Sequence, residues 1–546
     1  MQSGSTYDFI VIGAGSAGCV LAARLSESGR YSVLLLEAGG RDSSPWIHIP
    51  VGYAKTFGDS RINWLSQSEP EPALNNRVMF QPRGKVLGGT SSINGMLYIR
   101  GNPADFDDWR RLGCEGWDYE SVLPYFRKAE DNERGADEFH GVGGPLHVSN
   151  QPERELAKLL LKACMQAGIP HNPDFNGAQQ DGAGYFQTTL KDGRRWSTAT
   201  AYLRPARNRK NLTILTEAHA TRVLIEHGNA VGVEFRSSDG LSRVYANGEV
   251  IASGGAYGSP QLLLLTGVGP GQHLQDMGVP VLHDLPGVGS NLQEHFGISC
   301  AWRINRKLSM NHLRGSVPHQ LVAGLKYISH RAGPLAQTGI HVGTFFRSDP
   351  RLDRPDLELI MRAYSTMRNS RGKMIPHPFP TFGMGVQHLR PEGRGTVRLK
   401  SRDPLVQPEI RFNFQRSASD NQAIIAGIRT ARKIACQDAL KDLVVEEVLP
   451  GPSLTTDEQL VEDVRGRGAA VLHPVGSCAM GLGPDAVVDP RLRVRGVVGL
   501  RVVDASIMPS NVRGHTNAPT IMIAEKASDM ILADVKATAA QRAAYC

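Results

Sequence analysis

The first forty residues constrain the fold of this chain more than any other stretch. An apolar run over 8–12 leads directly into Gly13-Ala14-Gly15-Ser16-Ala17-Gly18. Residues 19–28 follow a helical pattern, and a second apolar run, 31–36, ends at Glu37. This order of strand, glycine turn, helix, strand and acid predicts a βαβ unit that binds a dinucleotide. The alternative is an ordinary glycine-rich turn between a strand and a helix.

Each part of this unit has a physical task. Gly13 allows the tight turn, Gly15 lets the backbone approach a pyrophosphate, and Gly18 lets helix and strand pack closely. The helix N-terminus offers N–H groups and a positive dipole end to the phosphates. Glu37 can accept hydrogen bonds from both ribose hydroxyls, which favours NAD or FAD over NADP.

Length and composition indicate a two-domain globular protein. The chain has 546 residues, 41% of them hydrophobic, and no apolar stretch reaches membrane-spanning length. Seven scattered cysteines without a C-x-x-C pair argue against a disulfide framework and against structural zinc, so we expect no metal site. Since residues 9–23 lack the basic start of a signal peptide, we expect a cytoplasmic protein, free or at the inner face of the membrane.

The net charge of +8 comes from dispersed basic residues with small clusters at Arg194-Arg195 and 207–210. We interpret these clusters as solvated faces rather than as a nucleic-acid or anionic-membrane patch. No nucleic-acid partner is therefore expected, and peripheral contact with a membrane stays open.

A second glycine-rich stretch covers residues 83–96. It contains four glycines, two basic residues and three hydroxyl side chains, so backbone and donors can approach a flat or phosphorylated ligand. A glycine-rich surface loop explains the same composition equally well.

Two stretches near the C-terminus carry candidate catalytic groups. His473 lies between an apolar pair and a Pro–Gly turn, and His515 and Asn517 directly precede a predicted helix over 519–532. A histidine beside a flavin or nicotinamide can accept the proton of an alcohol while the carbon gives up hydride. Asn517 can donate a hydrogen bond to the substrate oxygen. The alternatives are a turn histidine and a helix cap.

Five ordered motifs resemble those of the glucose–methanol–choline (GMC) oxidoreductases, especially the bacterial choline dehydrogenase-like and alcohol dehydrogenase branch. They are the opening unit with Glu37 and the segments 83–96, 255–264, 473–476 and 500–506, and the similarity extends over essentially the whole chain. The resemblance implies an α/β fold with FAD as the cofactor. A Rossmann-like FAD-binding domain would comprise 1–155, 215–310 and 465–546. An inserted α+β substrate-binding domain would comprise 156–214 and 311–464.

The resemblance also implies site residues. Those expected at FAD are Gly13, Gly15, Ser16, Ala17, Gly18 and Glu37 at the ADP half, Val86, Gly89, Asn94, Gly95, Met96 and Leu97 at the flavin, Val223 at the adenine, and Asp504 and Ala505 at the pyrophosphate and ribityl side. His473 matches the catalytic base and Asn517 the second site residue, with His515 as the competing candidate. Ile93 stands where some members carry the histidine that attaches FAD, which implies non-covalent FAD.

The implied reaction is oxidation of a primary alcohol to the aldehyde. His473 would take the hydroxyl proton as hydride passes to flavin N5, and a quinone or other carrier would receive the electrons. An oxidase that uses O2 and releases H2O2, a carbon–carbon lyase and a flavin-binding protein without turnover remain alternatives. His341 stands where choline-processing relatives carry a carboxylate, which argues against choline. Met361, Phe345, Phe346 and Met384 are interpreted as core residues.

Overall fold

The computed structural model describes residues 4–313, 317–369 and 374–544, so Cys546 lies outside the described part. Its longer helices are Ser16–Leu25, Pro103–Arg111, Tyr119–Ala129, Glu155–Gln166, Gly255–Thr266, Val317–His330, Ala418–Ala435, Asp457–Arg467 and Asn517–Ala544. They pack on two large sheets, and the predicted α/β class with a second α+β unit is confirmed.

The first sheet grows from the predicted βαβ unit. Its strand order is Leu212–Leu215, Val33–Leu36, Thr6–Ile12, Gly240–Ala252, Asn229–Ser237 and His219–Glu226, with Leu500–Val502 beside Gly240–Ala252. Five of these strands run parallel. The carboxyl ends of four of them, at Ile12, Leu36, Ala252 and Val502, lie on the edge where open α/β sheets bind ligands.

The second sheet is antiparallel. Its order is Val444–Leu449, Phe296–Ile304, Thr381–His388, Leu357–Arg362, Ile340–Phe346 and Gly182–Tyr185, with the short strand Ala469–Ala470 beside Phe296–Ile304. Side chains alternate between two faces. One face, with Met361 and Met384, is buried against helices Glu155–Gln166 and Ala418–Ala435. Phe345 packs edge-to-face on Phe175 and Phe346 is half-buried, so the core interpretation of these four residues holds.

Two strands lie across the domain boundaries expected from the sequence. Leu212–Leu215 belongs to the first sheet, although 156–214 was assigned to the substrate domain. Phe296–Ile304 belongs to the second sheet, although 215–310 was assigned to the FAD domain. Both differences arise because strand pairing, which is non-local, decides which sheet a short apolar run joins. We therefore propose domain boundaries near 199 and 295 in place of 215 and 310.

Candidate active site

A cavity of about 1060 Å3 is lined by both sheets. The first sheet contributes its carboxyl edge around Ile12 and Ser253, and the second contributes the face that carries Ile360 and Gly385. Fourteen of the residues predicted for the site line it: Gly13, Gly15, Ser16, Ala17, Glu37, Gly89, Asn94, Gly95, Met96, Leu97, His473, Asp504, Ala505 and Asn517.

The three glycines of the opening turn have the steric roles that the motif predicts. Gly13 has φ +98°, and a Cβ there would lie 2.6 Å from the Ser253 carbonyl oxygen. A Cβ at Gly18 would lie 1.8 Å from the Gly13 carbonyl oxygen, so this glycine allows the helix to pack on the strand. A Cβ at Gly15 would meet only the Ser253 carbonyl oxygen, at 3.9 Å, and Gly15 lines the cavity, where a pyrophosphate can approach the backbone.

Two helix N-termini converge at this end of the cavity. Ser16 begins the first helix, Asn517 begins the last one, and the Ser16 hydroxyl donates to Oδ1 of Asn517 at 2.7 Å. Two positive dipole ends favour a bound pyrophosphate. This contact differs from the expectation that Asn517 is the partner of His473, because the amide is engaged at the phosphate-binding turn.

Glu37 and Val223 are the residues expected at the adenosine end of the cavity, and of these two Glu37 lines it. Glu37 accepts hydrogen bonds from the N–H groups of Ala14 and Gly39, both at 2.8 Å, and burial raises its pKa to about 7. The Val223 side chain is in the core, and its N–H donates to Thr266. Residues 218–220, just before it, line the cavity, and a contact of Val223 with the adenine stays a prediction.

The segment 83–96 is held in place by a buried arginine. Arg195 donates to the carbonyl oxygens of Ser91 and Asn94 and to Oδ1 of Asn94, at 2.7–3.0 Å. Its interpretation as part of a solvated face was wrong, and burial lowers its pKa to about 9. Val86 does not line the cavity either, because it packs with Ile93 in a small apolar cluster.

His473 lies among three titratable side chains. Its Nδ1 is 3.1 Å from Nδ1 of His295, and its main-chain N–H donates to Glu294 at 2.6 Å. Burial, with the charges of His515 and His295, lowers the pKa of His473 well below its ordinary value. Burial likewise lowers the pKa of His295 to about 3 and raises that of Glu294 to about 8. His473 is therefore a neutral imidazole at neutral pH.

His515, rather than Asn517, is the side chain beside His473. The two rings have centroids 4.8 Å apart. Nε2 of His515 lies 3.2 and 3.3 Å from the carboxylate oxygens of Glu358, whose side chain is fully buried. This contact fixes the orientation of the His515 ring.

Sequence reasoning missed His295, Glu358 and Arg362. Glu358, Ile360 and Arg362 alternate along one strand, so all three point to the side that carries His515 and the cavity. Arg362 donates to Ser299 at 2.7 Å, its Nε has no partner, and no described carboxylate pairs with it. His295 and the acid before it directly precede an apolar strand. A pair of polar residues at that position was the signal in the sequence that could have identified His295.

The geometry defines a dinucleotide-binding oxidoreductase with a pair of histidines at the reacting end of its cavity. Comparison with known proteins gives the family: GMC oxidoreductase models match residues 7–297 and 391–524. The chain belongs to the GMC oxidoreductases, which are FAD-dependent enzymes. The predicted resemblance is confirmed, and the cavity, with open space at Gly95 and Gly258, fits FAD.

Relatives extend over nearly the full chain. It is 43% identical to "Alcohol dehydrogenase [acceptor]" of Pseudomonas putida, covering 97% of this chain and 96% of the relative. It is 41% identical to "Choline dehydrogenase, mitochondrial" of Homo sapiens, covering 97% and 90%. The crystal structure of pyridoxine 4-oxidase from Mesorbium loti superposes with a TM-score of 0.86 at 29% identity, covering 96% and 98%. The chain is thus a flavin oxidoreductase of the type that acts on alcohols.

Proposed function

We propose that the protein oxidises a primary alcohol to the aldehyde with non-covalently bound FAD. The observation that carries this proposal is the neutral His473 ring beside His515 in the cavity that fits FAD. When bound, FAD supplies the hydride acceptor. A general base of lowered pKa is deprotonated at neutral pH, as the removal of a hydroxyl proton requires.

The side chains around the two rings define their tasks. One Nδ1 of the His473–His295 contact must donate and the other accept. When His473 donates, its Nε2 lone pair is left to take the substrate proton. His515, supported by Glu358, is placed to donate a hydrogen bond to the developing alkoxide. This moves the second catalytic role from Asn517 to His515, and Asn517 is assigned to the pyrophosphate end.

The test compares single alanine variants in the reductive half-reaction, followed anaerobically as loss of the flavin's visible absorbance. His473→Ala should keep the flavin spectrum and slow reduction by roughly 10²–10⁴-fold, the usual contribution of a positioned base. His171→Ala, at an exposed histidine, is the matched control and should leave the rate unchanged. A far slower His515→Ala variant would place the base on the C-terminal segment. Unchanged rates in both histidine variants would contradict the proposal.

The proposed substrates are uncharged alcohols rather than choline. His341, the residue that suggested this, lies at a second cavity, where its Nε2–H donates to Oε1 of Gln337 at 3.1 Å, so it does not explain the preference. Arg362 gives a better reason to expect that choline is a poor substrate. Its guanidinium lines the main cavity, no described carboxylate pairs with it, and its charge repels a quaternary ammonium group.

Choline should therefore give a lower kcat/KM than uncharged primary alcohols of similar size. Steady-state kinetics with an artificial acceptor measures this, and Arg362→Gln should narrow the difference by raising the value for choline. A wild-type preference for choline would contradict this assignment.

The proposed electron acceptor is a quinone or another carrier. The similarity to a dehydrogenase named for an acceptor supports it. Rates with an artificial acceptor and then with O2 alone distinguish it from an oxidase, which would release H2O2. A lyase or a protein without turnover would leave the flavin oxidised in the anaerobic assay.

A further inference from the structure

The helix Val317–His330 carries a stripe of large apolar side chains on its outer surface. Leu321, Val322, Leu325 and Ile328 have 62%, 65%, 67% and 81% of their surface exposed. Their spacing of i, i+1, i+4 and i+7 places them on one face of the helix. We call this the outer face. The other strongly exposed apolar residues of the described chain are scattered singly or in pairs over different elements.

The opposite face of the same helix is anchored to the protein. Ala323 is buried, and the half-buried Tyr327 donates its hydroxyl to the Gly193 carbonyl at 3.1 Å. The helix is thus held with its outer face towards the surroundings. A surface helix in a soluble protein normally turns its apolar side to the core, so the arrangement here requires a different partner.

The stretch of sequence that contains this helix carries charges of one sign. The sequence contains no aspartate or glutamate from 305 to 348, while it contains six lysines and arginines. Arg306 and Arg347 pair with carboxylates outside this stretch. Lys307, Lys326 and Arg331 have no acidic partner among the residues described by the structure. Lys326 lies within the helix, and Arg331 directly follows its last residue.

We propose that the outer face docks on an anionic membrane surface. An amphipathic helix with an apolar face and basic flanks lies in the interface, its apolar side about 5–10 Å into the headgroup boundary. Each basic residue near an anionic surface adds about 1 kcal/mol of attraction. A second copy of this chain fits less well, because two such helices would bring two basic, acid-free segments together. The attachment is peripheral, since no described helix is long and apolar enough to cross a bilayer.

The docking helix is connected to the main cavity. The residues after it lead to Thr338, whose carbonyl accepts a hydrogen bond from Tyr53 at 3.3 Å, and Tyr53 lines the cavity. The segment that follows the outer face therefore contacts the wall of the cavity.

The test is flotation of the full-length holoenzyme with vesicles of phosphatidylcholine, with and without phosphatidylglycerol. The wild type should float with the anionic vesicles, less with the neutral ones, and less at high salt. Leu325→Glu with Ile328→Glu should lower the partition about 100-fold, since two apolar anchors are lost. Leu241→Glu with Val498→Glu, which changes two similarly exposed residues elsewhere, should float like the wild type.

Flavin absorbance shows that every variant remains folded. Wild-type protein that stays below the anionic vesicles would overturn the proposal, as would a Leu325→Glu, Ile328→Glu variant that floats normally. A dimer that this variant dissociates, without flotation of the wild type, would assign the outer face to a second copy and would equally overturn membrane docking.

Discussion

Leu472, the residue before the proposed base, has φ +79°, a conformation that a bulky side chain rarely adopts. Such a residue costs about 1–3 kcal/mol and persists where its surroundings hold it. Arg83 donates to the Leu472 carbonyl at 2.9 Å, and Glu294 accepts the next N–H, so contacts on both sides fix the peptide. The strained backbone thereby orients the His473 ring towards His295 and the cavity.

A prediction at the residue scale concerns Ile93. Its side chain cannot form a bond to the flavin, although it lines the cavity and is buried. Acid precipitation should therefore release FAD into the supernatant, measured by its visible absorbance. Flavin that stays with the pellet through repeated washing would contradict non-covalent binding.

At the scale of elements, the first and last helices are joined by a buried carboxylate. Both oxygens of Glu525 accept from Arg24, at 2.8 and 2.9 Å, and Tyr202 donates to it at 2.9 Å. The Glu525 side chain is fully buried. This contact fixes the two helices whose N-termini meet at Ser16 and Asn517, so it positions the pyrophosphate end of the cavity.

Glu525→Ala should lower the free energy of unfolding by about 1–3 kcal/mol, because it leaves the buried Tyr202 hydroxyl and the partly buried Arg24 without this partner. Urea denaturation of the holoenzyme measures the change. Asp529→Ala, one turn further along and half-exposed, is the control and should cost less than about 1 kcal/mol. Equal losses of unfolding free energy in the two variants would show that the buried contact stabilises the fold no more than the exposed one does.

At the scale of the whole molecule, a buried polar network joins the two proposed domains. His140 contacts Glu130 at 3.1 Å and Asp174 at 2.6 Å, and Arg100 also pairs with Glu130. Glu130 directly follows a helix of the FAD-binding domain, and Asp174 lies in the segment assigned to the substrate-binding domain. Burial alone would lower the pKa of His140, but hydrogen bonds to Asp174 and Glu130 raise it to about 9.

The network predicts how stability depends on pH. Because the folded pKa of His140 lies above its unfolded value, its stabilisation is complete below the unfolded pKa of about 6.5 and is lost as pH rises through about 9. The difference in unfolding free energy between wild type and His140→Gln should therefore shrink from pH 6 to pH 10. His147→Gln is the control at a partly exposed histidine. A difference that stays constant would show that His140 is neutral in the folded protein.

Local sequence was sufficient where function depends on a short, contiguous unit. The turn Gly13 to Gly18, the acid at Glu37 and the segment around Asn94 were predicted because backbone geometry and ligand contact occur within a few residues. His473 was proposed for the same reason, since a Pro–Gly turn marks its loop.

The tertiary structure alone decided which distant side chains meet. His295 directly precedes a strand of the second sheet and Glu358 lies in another, and their approach to His473 and His515 depends on strand pairing between segments far apart in sequence. Packing of the first helix against the last brought Asn517 to Ser16. The sequence by itself therefore determined the family, the cofactor-binding turn and one catalytic candidate, because each is encoded within a few consecutive residues. Folding determined the partners of that candidate, because side chains far apart in sequence, such as His295 and His473 at 178 residues, become neighbours only when the two sheets pack.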